Sequence, residues 1–136
     1  MTVADTTKQL FLERDTFSKL LGIEVDEVRE GYCRLHLTVR EDMLNGYRNL
    51  HGGVTFSAAD TALAYACNSQ GRIAVALSVT IDFLEAGKPG DTLFVEATEE
   101  SLRNKISLYL IRITNQNGAL IALFKGTAYR TSKEVC

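Results

Sequence analysis

One segment in the middle of the chain most restricts what the rest can fold into. Residues Val54 to Ser69 contain neither glycine nor proline and are rich in alanine, which predicts the longest helix of the protein. Its alanines are distributed around the helix, at Ala58, Ala59, Ala62, Ala64 and Ala66. A helix that is small and apolar on every face is buried on every face, so the remaining elements must wrap around it.

The chain after Gly71 has the pattern of a sheet that would supply this cover. Four strands are predicted, at Ile73–Leu84, Thr92–Glu99, Ile106–Thr114 and Ala119–Arg130. The connections at Lys88–Asp91, Leu102–Lys105 and Asn115–Gly118 are short, so neighbouring strands pair antiparallel. Upstream, Arg34–Arg40 alternates apolar and polar residues and predicts a further half-buried strand.

The start of the chain predicts an amphipathic helix. Between Thr7 and Leu21 the apolar residues recur at helical spacing, and Gly22 ends the pattern. These apolar residues are Leu10, Phe11, Phe17, Leu20 and Leu21. The expected fold class is α+β, with a curved antiparallel sheet of about five or six strands around a central helix. A length of 136 residues fits one domain over residues 1–136.

Charge and composition exclude several classes of function. Fifteen Lys and Arg residues against 17 Asp and Glu give a net charge of −2, without a run of like charge, so no nucleic-acid partner is expected. The longest apolar run, Ala119–Phe124, is too short to cross a membrane. The N-terminus lacks the pattern of a secretory signal, so a cytoplasmic location is expected. Three widely spaced cysteines and two histidines match neither a disulfide framework nor a metal motif.

The central helix carries a single charged side chain, Asp60. Its helical neighbours are Phe56, Leu63, Ala64 and Cys67, none of which can pair with a carboxylate. Burying an unpaired charge is costly, and a helix cap is a poor explanation because the glycine pair lies seven residues upstream. Two interpretations stay open: a polar residue facing water at a gap in the sheet, or a catalytic carboxylate, which we favour.

The segment just before this helix is a candidate oxyanion site. The backbone N–H groups at a helix N-terminus are unpaired, and glycines such as Gly52 and Gly53 let a ligand approach them closely. Alone, however, a Gly-Gly pair more often marks a turn. His51 could act as a general base, although a role in holding the loop by hydrogen bonds is favoured. Asn45 either forms an Asn-Gly turn or orients a water or a substrate carbonyl.

The spacing of these candidates suggests a site shared between subunits. Asp60 lies eight residues beyond Gly52, or about 12 Å along a helix. One chain cannot readily place both groups on a single reacting carbon, where contacts near 3 Å are needed. If both are functional, Asp60 of one subunit meets Gly52 of another, and a two-fold dimer is the simplest such assembly.

Taken together, the motifs from about Leu21 to Arg130 resemble the hotdog-fold acyl-CoA thioesterases, and in particular their phenylacetyl-CoA thioesterase (PaaI-type) branch. The matching positions are Asn45-Gly46, His51-Gly52-Gly53, Phe56, Ala59-Asp60, Ala66, Asn68-Ser69, Gly71, Thr80–Leu84, Gly90-Asp91 and Ala122–Gly126. The resemblance implies a hotdog fold, double-hotdog dimers and a homotetramer built as a dimer of dimers, with active sites shared between subunits.

The resemblance also implies roles for individual residues. Asp60 matches the acidic residue that serves as general base or nucleophile, Gly52 the amide that polarises the thioester carbonyl, and Asn45 a position that orients water or the acyl group. Further substrate-binding positions are implied at His51, Gly53, Phe56 and Asn68. The implied reaction is hydrolysis of an aryl-CoA thioester, such as phenylacetyl-CoA or its hydroxylated form, to the free acid and CoA. No metal or cofactor is expected.

Two other functions stay open at this point. A hydratase or dehydratase of acyl thioesters usually needs a histidine with an acid, and His51 and Asp60 offer that pair. A non-catalytic acyl-CoA-binding protein is the second alternative, but an anionic ligand gives no reason for a carboxylate in the acyl pocket. Arg48 and Lys88 are candidate contacts for the CoA phosphates, although lone basic residues on loops are usually solvated.

Overall fold

A six-stranded antiparallel sheet packs around one long helix in the computed structural model, which describes residues 1–136. The helices are α1 (Val3–Arg14), α2 (Thr16–Leu21) and α3 (Gly52–Asn68). The strands are β1 (Glu24–Arg29), β2 (Tyr32–Thr38), β3 (Arg72–Phe83), β4 (Thr92–Leu102), β5 (Ile106–Thr114) and β6 (Leu120–Glu134). Helix α3 contacts every strand, which confirms the predicted α+β arrangement. None of the helices combines the length and the apolar character needed to cross a membrane.

The order of the strands leaves β3 at one edge of the sheet. The order is β1-β2-β4-β5-β6-β3, and every neighbouring pair is antiparallel. Strand β3 follows α3 in the chain and pairs only with β6, so its other edge has no partner within the chain. Several large apolar side chains of β3 are exposed, among them Val75 (53%), Leu77 (60%) and Phe83 (57%).

Helix α3 packs closely because its core-facing residues are small. Ala58, Ala59, Ala62 and Ala66 have no exposed surface. On the sheet side, a Cβ at Gly126 would come within 2.9 Å of the Leu63 side chain, so β6 approaches the helix closely only with glycine there. One face of α3 is not covered, which corrects the expectation of burial on every side. Its half-exposed residues are Phe56, Ser57, Asp60 and Ala64, at helical spacing.

The predicted N-terminal helix is two helices. Helix α1 ends at Arg14, and the Asp15 side chain then caps α2 by accepting the Ser18 N–H at 3.2 Å. The break turns the second half of the pattern outward, so Phe17 (51% exposed) and Leu20 (66% exposed) do not face the core. Gly22 ends α2 in the left-handed conformation, as predicted.

Strand β1 was not predicted from the sequence. Residues Glu24–Arg29 are mostly charged, and a register irregularity between Val25 and Glu27 interrupts the alternation that marks a strand. Strand β2 covers Tyr32–Thr38, two residues upstream of the predicted Arg34–Arg40. With β1 included, the sheet has six strands, within the expected number.

Candidate active site

The first turn of α3 presents one free backbone donor. His51 caps the helix, and its Nδ1 accepts the Gly53 N–H at 2.8 Å. The His51 carbonyl accepts the N–H groups of Val54 (3.0 Å) and Thr55 (3.4 Å). The Gly52 N–H, by contrast, has no acceptor within the chain. His51 therefore fixes the start of the helix through hydrogen bonds and leaves the Gly52 amide free at the positive end of the helix.

The Gly52 amide borders a cavity of about 320 Å³, which is also lined by the end of β3 and the loop that follows. The Phe83 ring forms part of this wall, and a Cβ at position 52 would lie 3.2 Å from its Cε1 and Cζ atoms. The φ of Gly52 is not positive, so its backbone conformation does not call for glycine. A side chain at this position would instead crowd the Phe83 ring. The cavity can therefore hold a carbonyl oxygen close to the amide, beside an exposed aromatic ring.

Asn45 lines the same cavity and forms a turn as well. Its Oδ1 accepts the N–H groups of Tyr47 (2.9 Å) and Asn49 (3.2 Å). Its amide nitrogen donates to no other atom of the chain. The two interpretations of Asn45 are thus compatible, because the oxygen fixes the loop while the NH₂ group is left for a ligand or a water.

Asp60 lies half-buried on the uncovered face of α3. Its carboxylate forms no hydrogen bond or ion pair, and burial raises the pKa of the carboxyl above its usual value. It is not among the residues that line the Gly52 cavity. The single chain therefore does not bring Asp60 and Gly52 together, in keeping with their separation along the helix.

The other predicted site residues lie in different surroundings. The N–H of Gly53 is taken by His51, and the Phe56 ring packs against the Phe124 ring at 5.4 Å between centroids. Asn68 lies at the opposite end of α3, buried, where its NH₂ group donates to the carbonyls of Ala64 (2.8 Å) and Ala74 (3.1 Å). Both of its N–H groups are used within the chain, so Asn68 joins α3 to β3 as a structural residue.

Phe83 and Glu85 are among the residues lining the Gly52 cavity that sequence reasoning missed. Both belong to the end of β3 and its following loop, and nothing local in the sequence indicates that this loop folds back onto the start of α3.

The two basic loop residues that were candidate phosphate contacts have different partners. Arg48 forms an ion pair with Glu41 at 2.5 Å, whereas the Lys88 ammonium donates to Asn49 at 2.8 Å. No group of three His, Cys, Asp or Glu side chains is placed to hold a metal ion.

Replacing Asp60 with asparagine is expected to raise the melting temperature at neutral pH by about 1–4 °C. The folded-state pKa of Asp60 is raised, so protonation favours the folded chain, and the unfolding free energy of the wild type falls as pH rises through that pKa. The side-chain amide of the Asp60→Asn variant does not titrate, so it adds no such pH dependence to the unfolding free energy. Thermal unfolding followed by circular dichroism should therefore give curves that converge near about pH 3, below the usual carboxyl pKa. A variant that melts lower than the wild type at neutral pH would contradict this.

Comparisons with known proteins agree on the family of the chain. A family model described as "Thioesterase superfamily" matches residues 47–122. The chain is 47% identical over 118 residues to the acyl-coenzyme A thioesterase PaaI of Escherichia coli K12, covering 87% of this chain and 84% of that protein. The solved structure of the E. coli PaaI protein from the phenylacetic acid degradation operon superposes with a TM-score of 0.95, at 42% identity, over 97% of this chain and 96% of that one. A Streptococcus mutans UA159 protein solved with acetyl CoA bound gives a TM-score of 0.79 at 27% identity, over 82% of this chain and 90% of that one.

Proposed function

The chain belongs to the thioesterase superfamily, and from this premise we propose that it hydrolyses aryl-CoA thioesters, such as phenylacetyl-CoA or hydroxylated phenylacetyl-CoA. It has the hotdog fold and is a thioester hydrolase, which decides against a hydratase and against a non-catalytic binding protein. The observation that carries the proposed mechanism is the free Gly52 N–H at the wall of the cavity.

The proposed chemistry follows from this donor and from Asp60. The Gly52 N–H binds the thioester carbonyl oxygen and stabilises the negative charge that develops on it as the carbonyl carbon is attacked. Asp60 either takes a proton from the attacking water or attacks the carbon itself, and water then hydrolyses the anhydride. The C–S bond breaks, CoA leaves as the thiolate and takes up a proton, and the free acid is released. Asn45 orients the water or the acyl group through its free NH₂ group.

We place the two catalytic groups in different subunits of a homotetramer built as a dimer of dimers. Strand β3 supports this arrangement, because a twelve-residue edge strand with exposed apolar side chains is a template for pairing with a second copy. A two-fold axis across this edge runs the two β3 strands antiparallel. The uncovered face of α3 then offers Asp60 to the neighbouring subunit, where it meets the Gly52 cavity.

Aromatic side chains near both groups support an aryl substrate. Phe83 is 57% exposed beside Gly52, and Phe56 lies on the uncovered face of α3, one turn before Asp60. Offset or edge-to-face contacts with such rings favour an aromatic acyl group over an alkyl chain of similar size. The E. coli relative comes from a phenylacetic acid degradation operon, which fits the same substrate class.

The substrate proposal is tested by thiol release from a panel of phenylacetyl, hydroxyphenylacetyl, benzoyl and medium-chain aliphatic CoA esters. We expect kcat/KM for the best arylacetyl ester to exceed that for the aliphatic esters by about tenfold or more, the range that pocket fit alone provides. Faster turnover of the aliphatic esters would overturn the aryl assignment. The absence of turnover with any ester would overturn the proposed function.

A further inference from the structure

One corner of the sheet holds an uncompensated group of positive charges. Five of the fifteen Lys and Arg residues lie there: Arg72, Arg103, Lys105, Arg130 and Lys133. None of them forms an ion pair, whereas Arg29, Arg40 and Arg48 elsewhere are each paired with a carboxylate. Glu134 is opposite Arg72 in the strand register but does not pair with it. In a chain of net charge −2, such a group attracts anionic ligands.

This corner contains a cavity of about 470 Å³ that is separate from the Gly52 cavity. Its lining residues combine three cations, one aromatic ring, one amide and one hydroxyl, namely Arg72, Lys105, Arg130, Tyr129, Asn104 and Ser132. Guanidinium and ammonium groups bind phosphates, and a partly exposed ring such as that of Tyr129 can stack on a base. The chemistry fits a nucleotide that bears phosphates, and the end of CoA remote from the thioester is such a group.

The arginines of the cavity are held in place without being neutralised. Arg72 donates from Nε to the Thr131 carbonyl at 3.0 Å, and Arg130 donates from Nη1 to the Arg103 carbonyl at 2.6 Å. A carbonyl oxygen restrains a guanidinium but does not neutralise its charge. Because these side chains are already ordered, binding a phosphate costs less side-chain entropy. The Lys105 and Tyr129 side chains make no hydrogen bond within the chain, which leaves them free for a ligand.

The position of this cavity requires a second subunit. Arg72 and Phe83 are at opposite ends of β3, about 36 Å apart along the strand, so one subunit holds the two cavities far from each other. The pantetheine arm from the thioester sulfur to the first phosphate has about as many bonds as four residues of backbone and spans about 15 Å. In an antiparallel β3 pair centred near Leu77 and Ser78, however, Arg72 of one subunit stands opposite Phe83 of the other.

We propose that the nucleotide end of the CoA thioester binds in the cavity of Arg72, Lys105, Tyr129 and Arg130 of one subunit while its acyl group reacts at Gly52 of the other. The inference rests on the proposed function and on the β3 pairing. It also replaces the earlier expectation for Arg48, because Glu41 already pairs with that residue.

The test compares phenylacetyl-CoA with phenylacetyl-pantetheine, which lacks the nucleotide. Lys105→Glu is expected to raise KM for the CoA ester about tenfold or more, with kcat unchanged, because it removes a charge-assisted contact to phosphate. KM for the pantetheine ester should stay within about twofold of the wild-type value. Lys19→Glu, an equal charge change on exposed helix α2, is the control for net charge.

Equal changes of KM for the two esters in Lys105→Glu, or the same effect in Lys19→Glu, would overturn the proposal. Tyr129→Ala should likewise raise KM for the CoA ester alone, and Tyr129→Phe should restore it because the ring is kept. Arg72 and Arg130 are left intact, because they donate to Asn104 and Arg103 and their substitution would also loosen the β4–β5 hairpin.

Binding of adenosine 3′,5′-bisphosphate, measured by calorimetry, separates this inference from the proposed function. The wild type should bind this nucleotide and Lys105→Glu should bind it at least about tenfold more weakly. Nucleotide binding by a protein that hydrolyses no thioester would refute the proposed function and keep the nucleotide site. If the protein hydrolyses phenylacetyl-CoA but Lys105→Glu leaves its affinity for the nucleotide unchanged, the proposed function is kept and the nucleotide site is refuted.

Discussion

Asp60→Asn is expected to lower kcat/KM for phenylacetyl-CoA by about a thousandfold. Asparagine has the shape of aspartate, but it can neither accept a proton from water nor form the anhydride. Because the carboxylate lacks any hydrogen bond or ion pair in the chain, no structural contact is removed with it. The measurement is thiol release at saturating and limiting substrate, on protein whose circular dichroism matches the wild type.

The pH dependence of the wild type supplies a second readout for the same residue. Only ionised Asp60 can act as base or nucleophile, so kcat/KM should fall as pH decreases through its raised pKa. The acid limb of this profile should therefore lie above the pH expected for an ordinary aspartate, and the residual activity of Asp60→Asn should lack that limb.

Glu85→Gln is the matched control for Asp60→Asn, because Glu85 is the carboxylate that lines the Gly52 cavity within one chain. Its side chain is exposed, so water solvates its charge and nothing holds it ready as a base. We expect Glu85→Gln to stay within about threefold of the wild-type kcat/KM. If Glu85→Gln loses activity while Asp60→Asn keeps it, the catalytic carboxylate is Glu85, and the reaction takes place within a single subunit.

The central helix and the strands after Gly71 could be predicted because their patterns are set by burial. The alanines of α3 indicate a helix that must be covered, and the strands separated by short turns indicate an antiparallel sheet. Both patterns therefore predict a sheet around the helix. Strand β1 escaped prediction because its residues are mostly charged and a register irregularity between Val25 and Glu27 interrupts the alternation that marks a strand. The break at Asp15 was missed because one side-chain cap, which periodicity does not reveal, outweighs a continuous apolar pattern.

The candidate site also contains residues that the sequence could identify and details that it could not. Asp60 was detectable because it is the one charge on an apolar helix. That Gly52 rather than Gly53 offers the free amide depends on the Nδ1 atom of His51, which accepts the Gly53 N–H, and on the Phe83 ring beside position 52. Such selection among neighbouring donors comes from three-dimensional packing and cannot be obtained from the motif alone.

Gly52→Pro should lower kcat for phenylacetyl-CoA by about 10²–10³-fold, the usual effect of deleting one oxyanion donor. Proline removes the N–H and suits this position, because the first residue of a helix tolerates proline and His51 already has an extended backbone, with ψ of 131°. Gly52→Ala is the matched control: its Cβ meets the same Phe83 ring at 3.2 Å, but its N–H remains. Alanine should cost about tenfold or less; equal losses in both variants would assign the effect to crowding.

Mixing the two inactive variants then tests whether Gly52 and Asp60 act across subunits. In a dimer of one Asp60→Asn and one Gly52→Pro subunit, a shared arrangement leaves one site with both an intact amide and an intact carboxylate, while the other site loses both. Random reassembly makes half of the dimers mixed, so about a quarter of the wild-type activity should return. If each chain used its own Gly52 and Asp60, every site would carry one defect and no activity would return. Activity regained on mixing would therefore show that Gly52 and Asp60 of one site come from different subunits. Measurements on either variant alone cannot show this.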